Sequence, residues 1–201
     1  MRFLALGDSY TIGESVKEAE RWPVQLAALL GEQGFEIGPP QIIAQTGWTT
    51  GELQGALNRA KPEGPFELVS LLIGVNNQYR GRPLAEFGKQ FSELLARSIE
   101  LAGGQAGRVL VLSIPDWGVT PFAKGRDRAK IADALDDFNG MAAVESERQG
   151  AHFVDVTPES RQAAVEPDLV AGDGLHPSGK MYSEWARLAL PAACQALGLS
   201  R

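Results

Sequence analysis

One cysteine, two histidines and the absence of any long apolar run narrow what this chain of 201 residues can be. The lone thiol, Cys194, cannot form an intramolecular disulfide, so nothing here demands an oxidising compartment. Flanked by apolar residues in a C-terminal helical stretch, it reads as a buried or half-buried thiol. His152 and His176 are the only histidines, so no Cys/His cluster of zinc spacing can be assembled, and neither a metal nor an organic cofactor is expected. The first apolar run, Phe3 to Leu6, is too short for a signal core or a membrane span, which points to a cytoplasmic protein without stable membrane insertion. Excess positive charge is missing as well. Against 19 Lys and Arg stand 25 Asp and Glu, a formal net charge of -6, so there is no general attraction to nucleic acid or anionic membranes. Only Lys124, Arg126, Arg128 and Lys130 make a locally basic stretch, interrupted by Asp127 and Asp133. A solvated helix face is its simple reading and a site for an anionic substrate the alternative. No heptad run marks a coiled coil, and the oligomeric state has no signature in the sequence.

What is present suits a single α/β domain spanning residues 1–201, with 44% apolar and 22% charged residues and enough length to bury a core without staples. Short apolar runs alternate with segments of helical period. Arg2 to Leu6, Gln41 to Ala44, Phe66 to Ile73, Arg108 to Ile114 and Ala151 to Val154 read as strands. The third is nearly continuously apolar, as a parallel strand buried on both faces requires. Between them, helices are expected over Trp22 to Glu32, from a cap at Thr50 through Leu53 and Leu57, and from Pro83 along the stripe Phe87, Phe91, Leu94, Leu95 and Ile99. Asp127 to Glu147 and Ser178 to Ala196 follow as helices, with a short helical piece over Thr157 to Val165. Strands alternating with helices predict a parallel sheet covered on both faces, with the strand order left open.

Ligands of such sheets bind beyond the carboxyl ends of the strands, and polar clusters stand at several of these ends. Gly7-Asp8-Ser9 follows the first strand, Gln45-Thr46-Gly47 the second and Gly74-Val75-Asn76-Asn77 the third, while Asp173 and His176 share the last loop. Ser9, at a strand-to-turn junction, could expose its hydroxyl beside free backbone N–H groups; it could equally cap a helix or cradle a phosphate. Asp173 stands three residues before His176, close enough to orient the imidazole and leave its other nitrogen to take a proton from Ser9. A surface loop whose Asp caps a turn would look the same. Asn76 offers an uncharged N–H₂ and Gly47 an unshielded backbone N–H, both suited to an oxyanion and both compatible with plain loop chemistry.

Taken together, these blocks resemble the SGNH hydrolase superfamily, the GDSL lipases and esterases. Gly7-Asp8-Ser9-Tyr10-Thr11-Ile12-Gly13 matches its first block, Gln45-Thr46-Gly47-Trp48 its glycine block, Gly74-Val75-Asn76-Asn77 its Gly-x-Asn-Asp block and Asp173-Gly174-Leu175-His176-Pro177 its Asp-x-x-His-Pro block. The resemblance implies a flavodoxin-like three-layer α/β/α sandwich with a parallel central sheet. It assigns Ser9 as nucleophile, His176 as base, Asp173 as orienting acid, and Ser9, Gly47 and Asn76 as the oxyanion hole. One position departs from the pattern: Asn77 stands where the family usually has Asp. The chain also lacks a Gly-x-Ser-x-Gly elbow around Ser9, which separates it from the α/β-hydrolases. Asp8 is read as structural, fixing the nucleophile loop.

The expected reaction is hydrolysis of a small-molecule, glycan or lipid acyl ester through a covalent acyl-serine, with short acyl or acetyl groups favoured by the lack of a long apolar lid. Thioester, lysophospholipid or carbohydrate ester cleavage would use the same triad. Trp48, Tyr79, Trp117, Val119 and Phe122 stand in loops beside the expected site, as a substrate pocket or as ordinary core-edge residues. Two other classes compete: a binding module that merely keeps the fold, and a flavodoxin-like nucleotide binder using Gly7-Asp8-Ser9 as a phosphate loop. The latter lacks the Gly-x-x-x-x-Gly-Lys pattern.

Overall fold

The computed structural model describes residues 1–198. Five strands form one sheet in the order β2-β1-β3-β4-β5, and every neighbouring pair is parallel. They are β1 (Phe3–Gly7), β2 (Gln41–Ala44), β3 (Leu68–Leu72), β4 (Val109–Leu112) and β5 (His152–Val154). The three central strands, FLALG, LVSLL and VLVL, are buried at every position, as strands covered on both faces must be. The edge strands β2 and β5 are only partly covered.

The helices are α1 (Ser9–Ile12), α2 (Trp22–Glu32), α3 (Thr50–Ala60), α4 (Val75–Tyr79), α5 (Leu84–Leu101), α6 (Arg128–Gln149), α7 (Thr157–Ser160) and α8 (Gly179–Ala196). The two outer layers are α2 packed on α8, and α5 flanked by α3 and α6. Helix α5 buries Phe87, Phe91, Leu94, Leu95 and Leu101, a stripe at the helical period, with Ile99 partly covered. Rings of Phe87 and Phe138 meet at 4.6 Å between centroids and join α5 to α6.

Two local expectations shift. Helix α3 is capped by Thr49 rather than Thr50. The Thr49 side chain accepts from the Glu52 N–H while Glu52 accepts from the Thr49 N–H, a reciprocal pair that frees Thr50 to enter the first turn. The turn expected after β1 is a single helical turn, α1, because the Asp8 carboxylate accepts the Tyr10 N–H at its start. Helix α6 begins where expected, with Asp127 as its cap. Among the described residues no helix is long and apolar enough to cross a membrane.

The strand order positions the chemistry. From β1 the chain steps outward to β2, then returns past β1 to β3. The crevice at the carboxyl ends of β1 and β3 is thus the point where the sheet's winding reverses, where ligands of such sheets bind. Gly7 and Leu72, the last residues of these two strands, are register partners, so the segments that follow them leave the sheet side by side.

Candidate active site

The segment after β1 is fixed before it reaches Ser9. Asp8 is wholly buried, and its Oδ1 accepts the Tyr10 N–H at 3.0 Å. Its carbonyl accepts the N–H groups of Thr11 and Ile12, and the Ser9 carbonyl accepts those of Gly13 and Glu14. Ser9 is therefore the first residue of a locked turn, 5% exposed. Neither its hydroxyl nor its backbone N–H has a hydrogen-bond partner among the described residues. Asp8 Oδ2 is likewise without a partner. Burial pushes the Asp8 carboxyl up to about 7, and the Tyr10 N–H offsets only part of that.

The strands on either side supply further donors. After β2 the chain turns at Gly47, whose φ of 88° lies in the left-handed region that a side chain disfavours. The Gly47 carbonyl accepts from Arg80 at 2.6 Å, while its N–H is unpaired among the described residues. After β3, Gly74 has a φ of 130°, and a Cβ there would lie 2.6 Å from Phe87 and 2.8 Å from Ile114, so no other residue starts α4 in this place. Asn76 then donates one amide hydrogen to the Trp48 carbonyl at 2.9 Å, which leaves the second free.

Its neighbour does something else. Asn77 is 1% exposed and faces away from the cavity that Asn76 lines. Its Oδ1 accepts the Thr50 N–H at 3.0 Å and its N–H₂ donates to the Thr50 hydroxyl at 2.7 Å. That hydroxyl passes its own hydrogen to Gln90. Asn77 thus satisfies an open N–H at the start of α3 and ties α3 to α4. An aspartate could only accept here; the asparagine closes a donor–acceptor pair.

Asp173 and His176 lie in a tight loop closed by the bridge between Val170 and Pro177 and by the Ala171 N–H on the His176 carbonyl. Asp173 Oδ1 accepts the backbone N–H groups of Leu175 and His176, and Oδ2 lies 2.6 Å from His176 Nδ1. Ser15 also donates its hydroxyl to Oδ2, at 2.7 Å. Burial would raise the Asp173 carboxyl, but these donors outweigh it and hold the group well below the usual carboxylate range. An ionised carboxylate can only accept, so Nδ1 carries the hydrogen and Nε2 presents its lone pair. The His176 ring is covered by the edge of Tyr10, 5.6 Å away between centroids.

One cavity of about 170 Å³ gathers these groups: Ser9, Gly47, Asn76 and His176 all line it. Tyr79, Trp117 and Phe122 supply aromatic wall, with rings 5.4 to 6.2 Å apart. The Arg126 guanidinium sits 5.2 to 5.3 Å from all three ring centroids and donates to the Tyr79 hydroxyl. Trp48 is placed differently. It packs partly buried against the core, outside the cavity lining, and reaches the site through its carbonyl alone. Val119 is also outside the lining and packs against the core. Sequence reasoning did not single out Ser15 for the site, because its partner Asp173 lies 158 residues away, and it read Arg126 only as part of a basic stretch, without its place over the three rings. Tyr10 was within reach as the neighbour of Ser9, though nothing in a sequence shows that its ring covers His176.

Chemically, the cavity holds a hydroxyl, an imidazole nitrogen and three N–H hydrogens that have no partner among the described residues. No three His, Cys, Asp or Glu side chains come together as a metal site among the described residues.

The model of the GDSL-like lipase/acylhydrolase family matches residues 5–183. Solved structures of the same fold include a lipolytic protein of the G-D-S-L family from Veillonella parvula, 18% identical over 95% of this chain and 97% of that one, with a TM-score of 0.72. A lipase/acylhydrolase from Enterococcus faecalis is 20% identical, covers all of both chains and has a TM-score of 0.71. The acetylxylan esterase Axe2 from Geobacillus stearothermophilus is 17% identical over 99% and 94% of the two chains, with a TM-score of 0.69. At these identities the likenesses speak for the three-layer fold. No curated protein matches the sequence.

Proposed function

The chain belongs to the GDSL-like lipase/acylhydrolase family and is a carboxylic ester hydrolase, and from that premise we propose that it cleaves short-chain acyl esters through an acyl intermediate on Ser9. The observation that carries this reading is the shared cavity: an unpaired Ser9 hydroxyl, the His176 imidazole tied at Nδ1 by Asp173, and the free N–H groups of Ser9, Gly47 and Asn76 all border it.

Ser9 Oγ attacks the ester carbonyl as its proton passes to His176 Nε2. The carbonyl π pair moves to oxygen, and the three N–H donors take up that charge. Asp173 stabilises the imidazolium without accepting its proton. Collapse of the tetrahedral adduct breaks the C–O bond, and the leaving alkoxide takes the proton from Nε2. Water, deprotonated by the same nitrogen, then attacks the acyl-serine; collapse of this second adduct breaks the acyl–Oγ bond, Nε2 returns the proton to Ser9 Oγ, and the carboxylic acid leaves. Ser9 and His176 are not hydrogen-bonded to each other, a contact that commonly tightens only with substrate in place.

Short acyl groups fit the dimensions. A cavity of about 170 Å³ is smaller than the roughly 300–1,000 Å³ of pockets that hold drug-sized ligands. Its aromatic wall gives apolar contact to a few carbons. Hydrolysis of p-nitrophenyl esters from acetate to palmitate, with Ser9→Ala as control, tests the reading. Turnover that depends on Ser9 and peaks at acetate or butyrate is expected. A peak at palmitate would overturn the chain-length assignment, and turnover equal in Ser9→Ala would overturn the role of Ser9.

A further inference from the structure

Resting on the reading of Asp173 and His176 as the acid and base, we propose that Ser15 is a positioning residue that latches this pair to the nucleophile segment. The carboxylate of Asp173 offers about four acceptor positions, and all four are used. Three are filled from within its own turn, by the N–H groups of Leu175 and His176 and by His176 Nδ1. These fix Asp173 against His176 but say nothing of where the pair stands relative to Ser9. The fourth comes from Ser15, whose hydroxyl donates to Oδ2 at 2.7 Å. Among the described residues this is the one hydrogen bond between the nucleophile segment, residues 8–16, and the loop of residues 168–177. The Tyr10 ring against His176 adds contact but no directional constraint.

The backbone supports a role for the hydroxyl. Ser15 has a φ of 65°, one of two residues other than glycine in the left-handed region among those described. Such a conformation is unfavourable for an L-residue with a side chain, and it is held where the surroundings over-determine it. Residues 13–16 form a tight turn in which the Val16 N–H meets the Gly13 carbonyl, directly after the carbonyl of Ser9 has closed α1. Ser15 is thereby held six residues from the nucleophile on the same short rigid piece of chain. A glycine would suit the backbone better. What it would lack is the hydroxyl on Oδ2.

Removing that hydroxyl has two consequences. The His176 ring loses its tether to the Ser9 segment, which lowers the fraction of complexes with Nε2 aligned on Oγ. The charge on Oδ2, no longer shared with Ser15, acts on the imidazole alone and favours its protonated form. The titration of His176 therefore moves upward in pH.

The test compares Ser15→Gly and Ser15→Ala with the unsubstituted protein, using p-nitrophenyl acetate kinetics and NMR titration of the two imidazoles, with His152 as internal control. In Ser15→Gly, kcat is expected to fall about tenfold with KM unchanged, as a small misalignment does, while thermal stability holds or rises because the left-handed position is relieved. The acid limb of the rate profile and the His176 titration should both move up together. Ser15→Ala should show the same kinetic change with lower stability, which separates hydroxyl from backbone. Unchanged kcat and an unmoved His176 titration in Ser15→Gly would overturn the latch and leave Ser15 a turn residue. The NMR readout needs no turnover: if the unsubstituted protein showed no Ser9-dependent hydrolysis, the proposed function would fail, while a shifted or unshifted His176 would still decide the effect of Ser15 on the pair.

Discussion

Ser9 and Asn76 leave the ends of β1 and β3, buried neighbouring strands whose last residues are in register, whereas Asp173 and His176 sit in a loop that no strand delivers directly. The first half inherits its position from the sheet. Its polar groups can stay unpaired because the strands beneath them are already fixed. The second half must make its own rigidity, and its carboxylate is accordingly saturated with donors. Groups placed by a scaffold are free for substrate; groups placed by a loop consume hydrogen bonds to hold each other. Even the two aspartates differ in this way. Asp8 is buried with one oxygen unpartnered and its carboxyl is raised to about 7, while Asp173 is partly exposed and its carboxyl is held low.

Substitution of one chemical group from each half gives the largest expected effect. Ser9→Ala and His176→Ala should each lower kcat by roughly 10⁴-fold or more, and the double variant little further, because the two act as a unit. Additive losses in steady-state kinetics would separate the halves and break the account.

The two adjacent asparagines come next. Asn76→Ala should cost about 10²- to 10³-fold in kcat with an unchanged melting temperature, as loss of one oxyanion donor does. Asn77→Ala should do the reverse. It strands the buried Thr50 N–H, a loss of about 1–3 kcal/mol in stability, with kcat of the folded protein near that of the parent. Denaturant melts paired with kinetics would show whether the roles are divided in this way; a catalytic loss in both would not fit.

The aspartates predict opposite pH slopes. The folded-state carboxyl of Asp8 is raised from 3.8 to about 7, so between those values the folded protein holds a proton that the unfolded chain releases. Stability from this site falls as pH rises through that window and levels off above it, an effect on the order of a few kcal/mol. Asp8→Asn should therefore gain in melting temperature over the parent as pH goes from 4 to 8. Asp173, held low, contributes stability that is complete above the ordinary carboxylate value and lost as pH falls below it. A Tm difference between Asp8→Asn and parent that stays constant with pH would contradict the assignment for Asp8.

The smallest effect concerns the wall of the cavity. Phe122→Ala removes an exposed ring next to Tyr79 and Trp117 and should raise the kcat/KM ratio of hexanoate to acetate esters by a few-fold, in the range set by a methylene or two of apolar contact. An unchanged ratio would place the acyl chain elsewhere.

Much of this was legible in the sequence. Continuous apolar runs announced β1, β3 and β4 because those strands are buried on both faces, and the stripe of Phe87, Phe91, Leu94 and Leu95 announced α5. Each polar block stands beside a strand end or glycine turn, which marked Ser9, Gly47, Asn76, Asp173 and His176 as candidates, while position alone left caps and turns open and only the resemblance of the four blocks to a family gave them roles. Strand order could not be read, since nothing in β2 or β5 encodes its neighbour. The exchange of Thr49 for Thr50 as cap turned on whether Glu52 reached back to the cap N–H. Trp48 shows a different limit. An aromatic beside a site block can pack into the core and lend only its carbonyl, and periodicity carries no trace of that. Contacts such as Ser15 on Asp173 depend on the full course of the chain between them.

The most direct test is reaction of the protein with a fluorophosphonate, followed by intact mass and peptide mapping. One phosphonyl adduct is expected, on Ser9, and none in Ser9→Ala. An adduct on another residue, or ester hydrolysis that continues with Ser9 fully blocked, would contradict it.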